Sequence, residues 1–463
     1  MKKKYFYQRF PVLTDFNINY FLLIGVIFLL FGPLAIPTGL NSNFESRKLS
    51  ILFFLMGFLA EIIKFAGNIA GFHSPRLKCK IILNNLTNII SNDLLFINIY
   101  FFSIFFATVF SFSNVNEYLI IYIAGFIALY SVYLSFRDTT PSHHKLLLKI
   151  FCGIFIITGT VFSLISIYLA TFGTIGIEAI RGIITEKMYS KVAFEMQRGR
   201  IFPLFPIELL GVFTISYLIE SIQKSGVYSI KSQLLYISSF LAFIAISLNN
   251  YRSHILAGAI GLIILLKLTK ALRYSRLLLM PFIISILLTG FLLPTNPIKR
   301  FLMIDKQDSE NILLRLENLN LSFQILRNNI FFGSGIGNAQ NYLEIEDTTV
   351  VSADQHNPVL YKAYQHPHNF YALTLAETGI LGFTSLMLLV INFISSDLKS
   401  IDSDKDHTPI YAFIVSSWIF LIGSFLDWYP AHSLIFFFVI RGIIMGYQRL
   451  YCDEKKFINI SIP

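Results

Sequence analysis

Long apolar stretches alternate with short polar ones along almost the entire chain. Three of them, Tyr20 to Pro37, Leu94 to Ser113 and Phe370 to Ile394, have roughly the 20-residue length that a helix needs to cross the hydrocarbon core of a bilayer. The pattern predicts about twelve such helices, near residues 19–36, 50–71, 94–113, 117–136, 146–170, 202–222, 232–249, 253–269, 277–293, 369–394, 409–427 and 432–448. We therefore expect an all-α, polytopic membrane protein in which residues 1–463 form a single integral domain.

The composition excludes a soluble globule. Hydrophobic residues make up 55% of the 463 and charged residues 14%, with a mean hydropathy of +0.64, whereas a soluble domain is typically about 25% charged. The net charge of +10 does not indicate a nucleic-acid partner, because the basic residues lie in short loops between apolar runs. The three cysteines, Cys79, Cys152 and Cys452, are far apart and predict neither a disulfide nor a metal site.

The distribution of basic residues predicts the topology. Alternate loops hold lysine and arginine clusters, which mark the cytoplasmic side by the positive-inside rule. These clusters are Arg76, Lys78 and Lys80; Arg137, Lys145 and Lys149; Lys270, Arg273 and Arg276; and Arg449, Lys455 and Lys456. The basic start precedes a first span that we expect to be retained, because no small-residue cleavage site follows it. Both termini are predicted in the cytoplasm, and residues 294–367 form one large loop on the opposite side, whose length favours a functional role.

Arg252, in NNYRSHILAG, lies at the outer end of a predicted helix, where arginine is uncommon in short turns. One interpretation is a side chain that extends to the phosphates of lipid headgroups. The other is a fixed cation for a lipid diphosphate, because a guanidinium pairs with phosphate through two parallel hydrogen bonds and keeps its charge. The residue alone does not decide between the two.

Arg315 lies in the large loop, in a segment whose apolar spacing predicts an amphipathic helix over the membrane face. It is either an ordinary solvated charge or a second cation at the same face. The spaced glycines that follow, Gly333, Gly335 and Gly337, would suit a phosphate cradle, but no strand is predicted before them. A tight turn that returns the loop to the membrane is the favoured interpretation.

His368 directly follows Pro367 and opens the next apolar run, so we expect it at the outer membrane boundary. Boundary histidines commonly serve in interfacial packing. A neutral imidazole is also able to accept a proton from an attacking hydroxyl, since histidine titrates near neutrality. His366 and His368 would form half of a metal site, but no carboxylate or cysteine joins them at ligand spacing. We therefore expect no metal and no other cofactor.

Arg252, Arg315 and His368 are all predicted at one face, which fits a reaction in which a diphosphate leaves while a hydroxyl attacks. A flippase or another polytopic transporter would also have about twelve helices with both termini inside. Such folds often carry repeated halves, and this sequence has no visible repeat. Asp402 and Asp404 have the spacing of a divalent-cation motif, but the surrounding SSDLKSIDSDKDH is interpreted as a solvated cytoplasmic linker.

The stretch HNFYALTLAETGILG, with the glycine-rich GSGIGN upstream, resembles the signature of the O-antigen ligase and polymerase superfamily. His368 and Asn369 are followed by nine residues and then by Gly379 and Gly382, which matches the histidine motif of the family position by position. The similarity covers roughly residues 240–385. A histidine at position 366 is not part of the family motif.

The resemblance implies a helical membrane fold of the C type of glycosyltransferases, active without a metal at the periplasmic face of the bacterial inner membrane. Arg252 and Arg315, which resemble the two functional arginines of the family, would hold the diphosphate of a glycan linked to undecaprenyl diphosphate, and His368 would activate the acceptor hydroxyl. Supporting candidates are Asn369, His366, Gly335 and Gly337. The acceptor is a further lipid-linked glycan in a polymerase and the lipid A core in a ligase. Polymerase is slightly favoured, because each polysaccharide needs its own, and a chain-length regulator protein is an expected partner.

Overall fold

A computed structural model describes most of the apolar stretches of the chain. The described residues are 15–30, 46–70, 92–111, 117–137, 141–181, 184, 186–197, 205–249, 251–292, 306–339, 369–403, 408–426 and 431–460. Within them the chain forms α-helices joined by turns, with one 3-10 turn at Leu272–Tyr274, and no β-strand occurs. The predicted all-α class is confirmed.

The described helices are numbered here in chain order. They are α1 (Asp15–Leu30), α2 (Ser46–Ala70), α3 (Asn92–Phe110), α4 (Glu117–Arg137), α5 (Pro141–Ile180), α6 (Glu186–Gln197), α7 (Ile207–Ser225), α8 (Ile230–Asn249), α9 (Arg252–Leu268), α10 (Ser275–Leu292), α11 (Lys306–Asn328), α12 (Phe370–Ser403), α13 (Thr408–Leu426) and α14 (Ala431–Ile460). Each of the twelve predicted stretches is occupied by one of these helices over most of its length. The other two are α6, which the apolar pattern does not predict, and α11, the helix predicted around Arg315.

Part of the described chain has the length and composition of membrane-spanning helices. Five stretches qualify among the described residues, at Tyr118–Phe136, His143–Ile180, Ile230–Asn249, Leu272–Thr289 and Phe370–Ile401. Shorter apolar helices accompany them, such as Leu94–Phe110 and Pro409–Phe425. A membrane protein is therefore supported, while the number of twelve spans and the placement of residues 294–367 remain predictions.

Aromatic side chains fill the centre of the bundle. The ring of Phe155 on α5 lies edge-on to Phe213 on α7, with centroids 4.8 Å apart, and to Phe436 on α14, with centroids 5.1 Å apart. Helices α4 and α14 approach closely because position 442 is glycine, where an added Cβ would lie 2.7 Å from the carbonyl oxygen of Leu129. Small residues at such contacts favour helix packing in lipid, where the hydrophobic effect does not drive helices together. One connected core joins all the described helices except α11.

Helix α5 is longer than the apolar pattern predicts. The pattern ends near residue 170, but the helical run continues to Ile180 with a kink at Gly173, whose φ is 57° and ψ is −131°. Only glycine adopts this conformation at little cost. Beyond the kink the chain remains helical to Ile180, within the stretch between the predicted helices 146–170 and 202–222.

The polar segment after α12 is not a solvated linker throughout. Helix α12 continues through it to Ser403, and Asp397 is fully buried there. Its Oδ2 accepts hydrogen bonds from Arg441 Nη1 at 2.7 Å and from Trp418 Nε1 at 2.8 Å, and its Oδ1 accepts one from Gln448 Nε2 at 3.2 Å. A buried carboxylate needs such partners because desolvation otherwise costs several kcal/mol, on the order of 5. The linker interpretation is wrong for Asp397, and an arginine within the apolar run of α14 was the signal that it needed a partner.

Candidate functional site

The structure places part of the predicted site. Arg252 is the first residue of α9, and Asn369 directly precedes α12. Gly335 and Gly337 lie in the turn that follows α11. His366 and His368 lie outside the described residues. Of Arg315 the structure describes only the backbone, which is helical, and not the side chain.

The glycine-rich turn is hydrogen-bonded to a break in α12. The Ser334 N–H donates to the carbonyl oxygen of Ala376 at 3.0 Å, and the Gly335 N–H donates to that of Glu377 at 2.8 Å. In return the Ile380 N–H donates to the carbonyl oxygen of Ile330 at 2.9 Å. We call this contact the turn junction. Its N–H groups are directed at α12, so Gly335 does not present its N–H as part of a phosphate cradle.

Glycine is required on both sides of the turn junction. Gly379 has a φ of 64° and interrupts the helical geometry of α12, which exposes backbone groups to the turn. An added Cβ there would lie 2.6 Å from the backbone nitrogen of Phe332, and one at Gly333 would lie 2.5 Å from the carbonyl carbon of Glu377. The ring of Phe332 in turn stacks on Phe110 of α3, with centroids 4.6 Å apart. The junction thus depends on direct contact between two backbones.

Glu377 is a buried carboxylate at the turn junction that the sequence analysis did not single out. It is 5% exposed, and its Oε1 accepts a hydrogen bond from the Gly337 N–H at 2.9 Å. A charged residue within the apolar run LTLAETGILGF was the available signal, because intramembrane charges are costly and need partners. The side chain adds a bond across the junction that the backbone alone does not provide.

Helix α11, which carries Arg315, is packed on the first half of α12. Its Ile325 forms a small buried cluster with Leu373 and Ala376 of α12 and with Ala339. Ten residues separate Arg315 from Ile325, which corresponds to about 15 Å along a helix. The helix with Arg315 is therefore attached to the helix that begins two residues after His368.

Asn369 fixes the beginning of α12. Its Oδ1 accepts a hydrogen bond from the Ala372 N–H at 3.0 Å, as an N-cap residue does, and its Nδ2 donates to the carbonyl oxygen of Phe425 at 3.0 Å. Two residues further along, the Tyr371 hydroxyl donates to the carbonyl oxygen of Leu421 at 3.1 Å. These bonds hold the start of α12 against the end of α13, and so they position the chain next to His368.

Helix α13 links this region to the helix that carries Arg252. The Ser416 hydroxyl donates to the carbonyl oxygen of Leu209 on α7 at 2.8 Å. The side chain of Ile419 fills the space beside Gly261 on α9. Helices α7, α9, α12 and α13 thus form one packed group.

The first turn of α9 adds a buried histidine–glutamate pair to Arg252. His254 Nδ1 lies 3.3 Å from Glu208 Oε1, and both side chains are almost entirely buried. The Tyr251 ring is nearly parallel to the His254 ring, with centroids 5.3 Å apart. Arg252 itself is half-buried. Sequence reasoning missed Glu208 and His254, although the acidic residue at the head of an apolar run was a visible signal.

Within the described ranges, no group of three or more histidine, cysteine, aspartate or glutamate side chains is arranged to hold a metal ion. His366 and His368 lie outside those ranges, so metal independence remains a prediction.

Comparison with known proteins finds a family match in the central part of the chain. Residues 237–387 match the family model for O-antigen ligases. No curated protein matches the chain. The matched part extends from α8 into α12 and contains Arg252, Arg315, the turn junction and His368. The predicted resemblance to the O-antigen ligase and polymerase superfamily is therefore confirmed over this part, and this family implies a glycosyltransferase-type enzyme.

Proposed function

We propose that this protein transfers a glycan from undecaprenyl diphosphate to a sugar hydroxyl of an acceptor, in the polymerisation or ligation of O-antigen or another surface polysaccharide. The observation that carries the proposal is the turn junction. It joins the helix that carries Arg315 to the helix that follows His368, within the part of the chain that matches the O-antigen ligase family.

The proposed reaction is a single displacement at the anomeric carbon of the donor glycan. The acceptor hydroxyl oxygen forms the new bond to that carbon, while the bond between the carbon and the diphosphate oxygen breaks and its electron pair leaves with undecaprenyl diphosphate. The hydroxyl proton passes to an imidazole nitrogen of His368. Arg252 and Arg315 bind the diphosphate and stabilise the charge that develops on it as it leaves.

In this mechanism the two arginines replace the metal ion that many transferases use at a diphosphate. Two guanidinium groups supply positive charge without any change of protonation. We therefore propose that the reaction is metal-independent. Three further residues position the site rather than contact the substrate. Asn369 fixes the start of α12, and Gly335 and Gly337 belong to the turn that is hydrogen-bonded to α12.

We place the reaction at the periplasmic face of the inner membrane, with both termini in the cytoplasm. The basic loops support this orientation through the positive-inside rule. Helix α11 exposes the large apolar side chains of Leu316, Leu319 and Phe323, as expected of a helix that lies on the membrane surface close to a lipid-linked substrate. A chain-length regulator protein is the partner that we propose for a polymerase.

Polymerase activity is slightly favoured over ligase activity, because each polysaccharide type needs its own polymerase while one ligase serves many glycans. Deletion of the gene, followed by electrophoresis of lipopolysaccharide, tests the assignment. Loss of a polymerase leaves lipid A core that carries a single repeat unit, and complementation restores the ladder. Lipid A core without any repeat unit, together with accumulated lipid-linked polymer, would instead establish a ligase.

A further inference from the structure

Two buried polar side chains beside the start of α9 have unused hydrogen-bonding capacity. Glu208 is 2% exposed and Asn249 is 1% exposed. Among the described residues, Glu208 Oε2 and both polar side-chain atoms of Asn249, Oδ1 and Nδ2, have no hydrogen-bond partner. Buried polar groups in folded proteins nearly always have partners, because an unpaired one loses its bonds to water without replacement. A ligand with several hydroxyl or amide groups would supply the missing bonds.

These side chains lie at the end of the bundle where α9 begins. Helix α7 begins at Ile207, α8 ends at Asn249 and α9 begins at Arg252, and the three helices are consecutive and joined by short turns. Glu208 contacts α9 directly, since its Cβ lies 3.4 Å from the position that a Cβ on Gly258 would take. Glu208 and Asn249 therefore lie at the same end of the bundle as Arg252, the arginine proposed to bind the diphosphate.

The charges at this place indicate the class of ligand. The carboxylate of Glu208 disfavours a second phosphate or any other anion. Arg252 carries a fixed positive charge, which disfavours a metal cation, and among the described residues no group of three or more histidine, cysteine, aspartate or glutamate side chains could hold one. A neutral ligand with hydroxyl groups remains, because a carboxylate accepts hydrogen bonds from hydroxyls and an amide both donates and accepts them.

We propose that Glu208 and Asn249 form a binding subsite for the sugar attached directly to the diphosphate that Arg252 holds. This inference rests on the proposed function, since it takes the donor to be a lipid-linked glycan. The carboxylate and the amide bind hydroxyl or acetamido groups of that sugar ring and fix its orientation relative to the attacking acceptor. The subsite selects the donor by its first sugar, whereas Arg252 binds any prenyl diphosphate.

Equilibrium binding to the full-length protein in lipid nanodiscs tests the subsite. The probes are prenyl diphosphate without sugar and prenyl diphosphates that carry glucose, galactose or N-acetylglucosamine. We expect the wild-type protein to bind at least one glycosylated probe more tightly than the bare diphosphate. Glu208→Gln and Asn249→Ala should each weaken that probe by about tenfold, as expected for loss of a buried hydrogen bond, and leave the bare diphosphate unchanged.

Glu220→Gln is the matched control, because Glu220 is the other acidic residue of α7 and pairs with Lys224 at its opposite end. It should leave the binding of every probe unchanged. Each variant is compared only after its melting temperature and gel-filtration profile match those of the wild type, and if Glu208→Gln does not fold, Asn249→Ala decides.

Three results would overturn the subsite: no glycosylated probe binds more tightly than the bare diphosphate, the two variants retain the preference of the wild type, or they weaken the bare diphosphate equally. Arg252→Lys tests the proposed function separately, because it should weaken all the probes. If it weakens none while the Glu208 and Asn249 variants lose the sugar preference, the subsite stands and the diphosphate role of Arg252 fails.

Discussion

Substitution of Gly379 by alanine should separate the glycine-rich turn from α12 and thereby abolish most of the activity. The glycine has a φ of 64°, and the added Cβ would lie 2.6 Å from the backbone nitrogen of Phe332. The added Cβ would lie closer still to the carbonyl carbon and oxygen of Phe331, and ordinary contacts begin near 3.4 Å, so the turn and the helix must move apart by about 1 Å. A displacement on the order of 1 Å can lower a catalytic rate by roughly 10²-fold when it misplaces a binding group.

The backbone strain of the substitution needs its own control. Gly173→Ala provides one, because Gly173 has a similar φ of 57° within α5 and no atom lies within 4 Å of the added Cβ. Both substitutions force a side chain into a conformation that costs about 1–3 kcal/mol outside glycine. Only Gly379→Ala also disrupts the turn junction, so the difference between the two variants isolates the contact.

Glycan transfer is measured with purified variants in nanodiscs at equal concentrations of folded protein, together with melting temperature. We expect Gly173→Ala to lower the melting temperature while it retains most of the activity, and Gly379→Ala to lose roughly 10²-fold in turnover. Equal activity of the two variants would refute the argument that the turn junction positions the site.

Three further predictions test the charges. Arg252→Lys and Arg315→Lys should each lower transfer by more than about tenfold, because lysine keeps the charge but does not form two parallel hydrogen bonds to a phosphate. The control variant Arg327→Lys, at the exposed end of α11, should have no effect. Wild-type transfer by the Arg252 or the Arg315 variant would remove that residue from the site. Transfer should continue in excess chelator. If chelator abolished transfer and added magnesium or manganese restored it, that result would indicate that His366 and His368 ligate a metal. Asp397→Ala should destabilise the protein by roughly 3–5 kcal/mol, because it leaves Arg441 buried without its counter-ion. The double variant Asp397→Leu with Arg441→Met should recover most of the lost melting temperature. An unchanged melting temperature of Asp397→Ala would contradict the stabilising role of the ion pair.

The helices could be predicted from the sequence because apolar runs of membrane length are a local property. The same holds for the histidine motif, in which the spacing from His368 to Gly379 and Gly382 is visible in the chain itself. The match of residues 237–387 to the O-antigen ligase family model includes that local pattern. Local patterns thus predicted the fold class and the resemblance to this family.

The contacts between distant residues were not predictable in the same way. The bond from the Gly337 N–H to Glu377 joins positions forty residues apart, and the pair of Asp397 and Arg441 joins positions forty-four apart. Polar residues within apolar runs indicated that partners exist, but only the packing of the helices identifies them. The kink at Gly173 was hidden for a related reason, since a glycine in an apolar run indicates neither a bend nor its direction.

The identity of the catalytic base is the central claim, and an in vitro comparison of two neighbouring histidines tests it most directly. With a defined lipid-linked donor and a defined acceptor, His368→Ala should lower turnover by roughly 10² to 10⁴-fold while the donor still binds, because a positioned base contributes on that scale. His368→Gln should fail similarly, since an amide does not take up the proton. His366→Ala is the matched control and should have a milder effect. If His366→Ala abolished transfer and His368→Ala left it intact, the assignment of His368 as the base would be wrong.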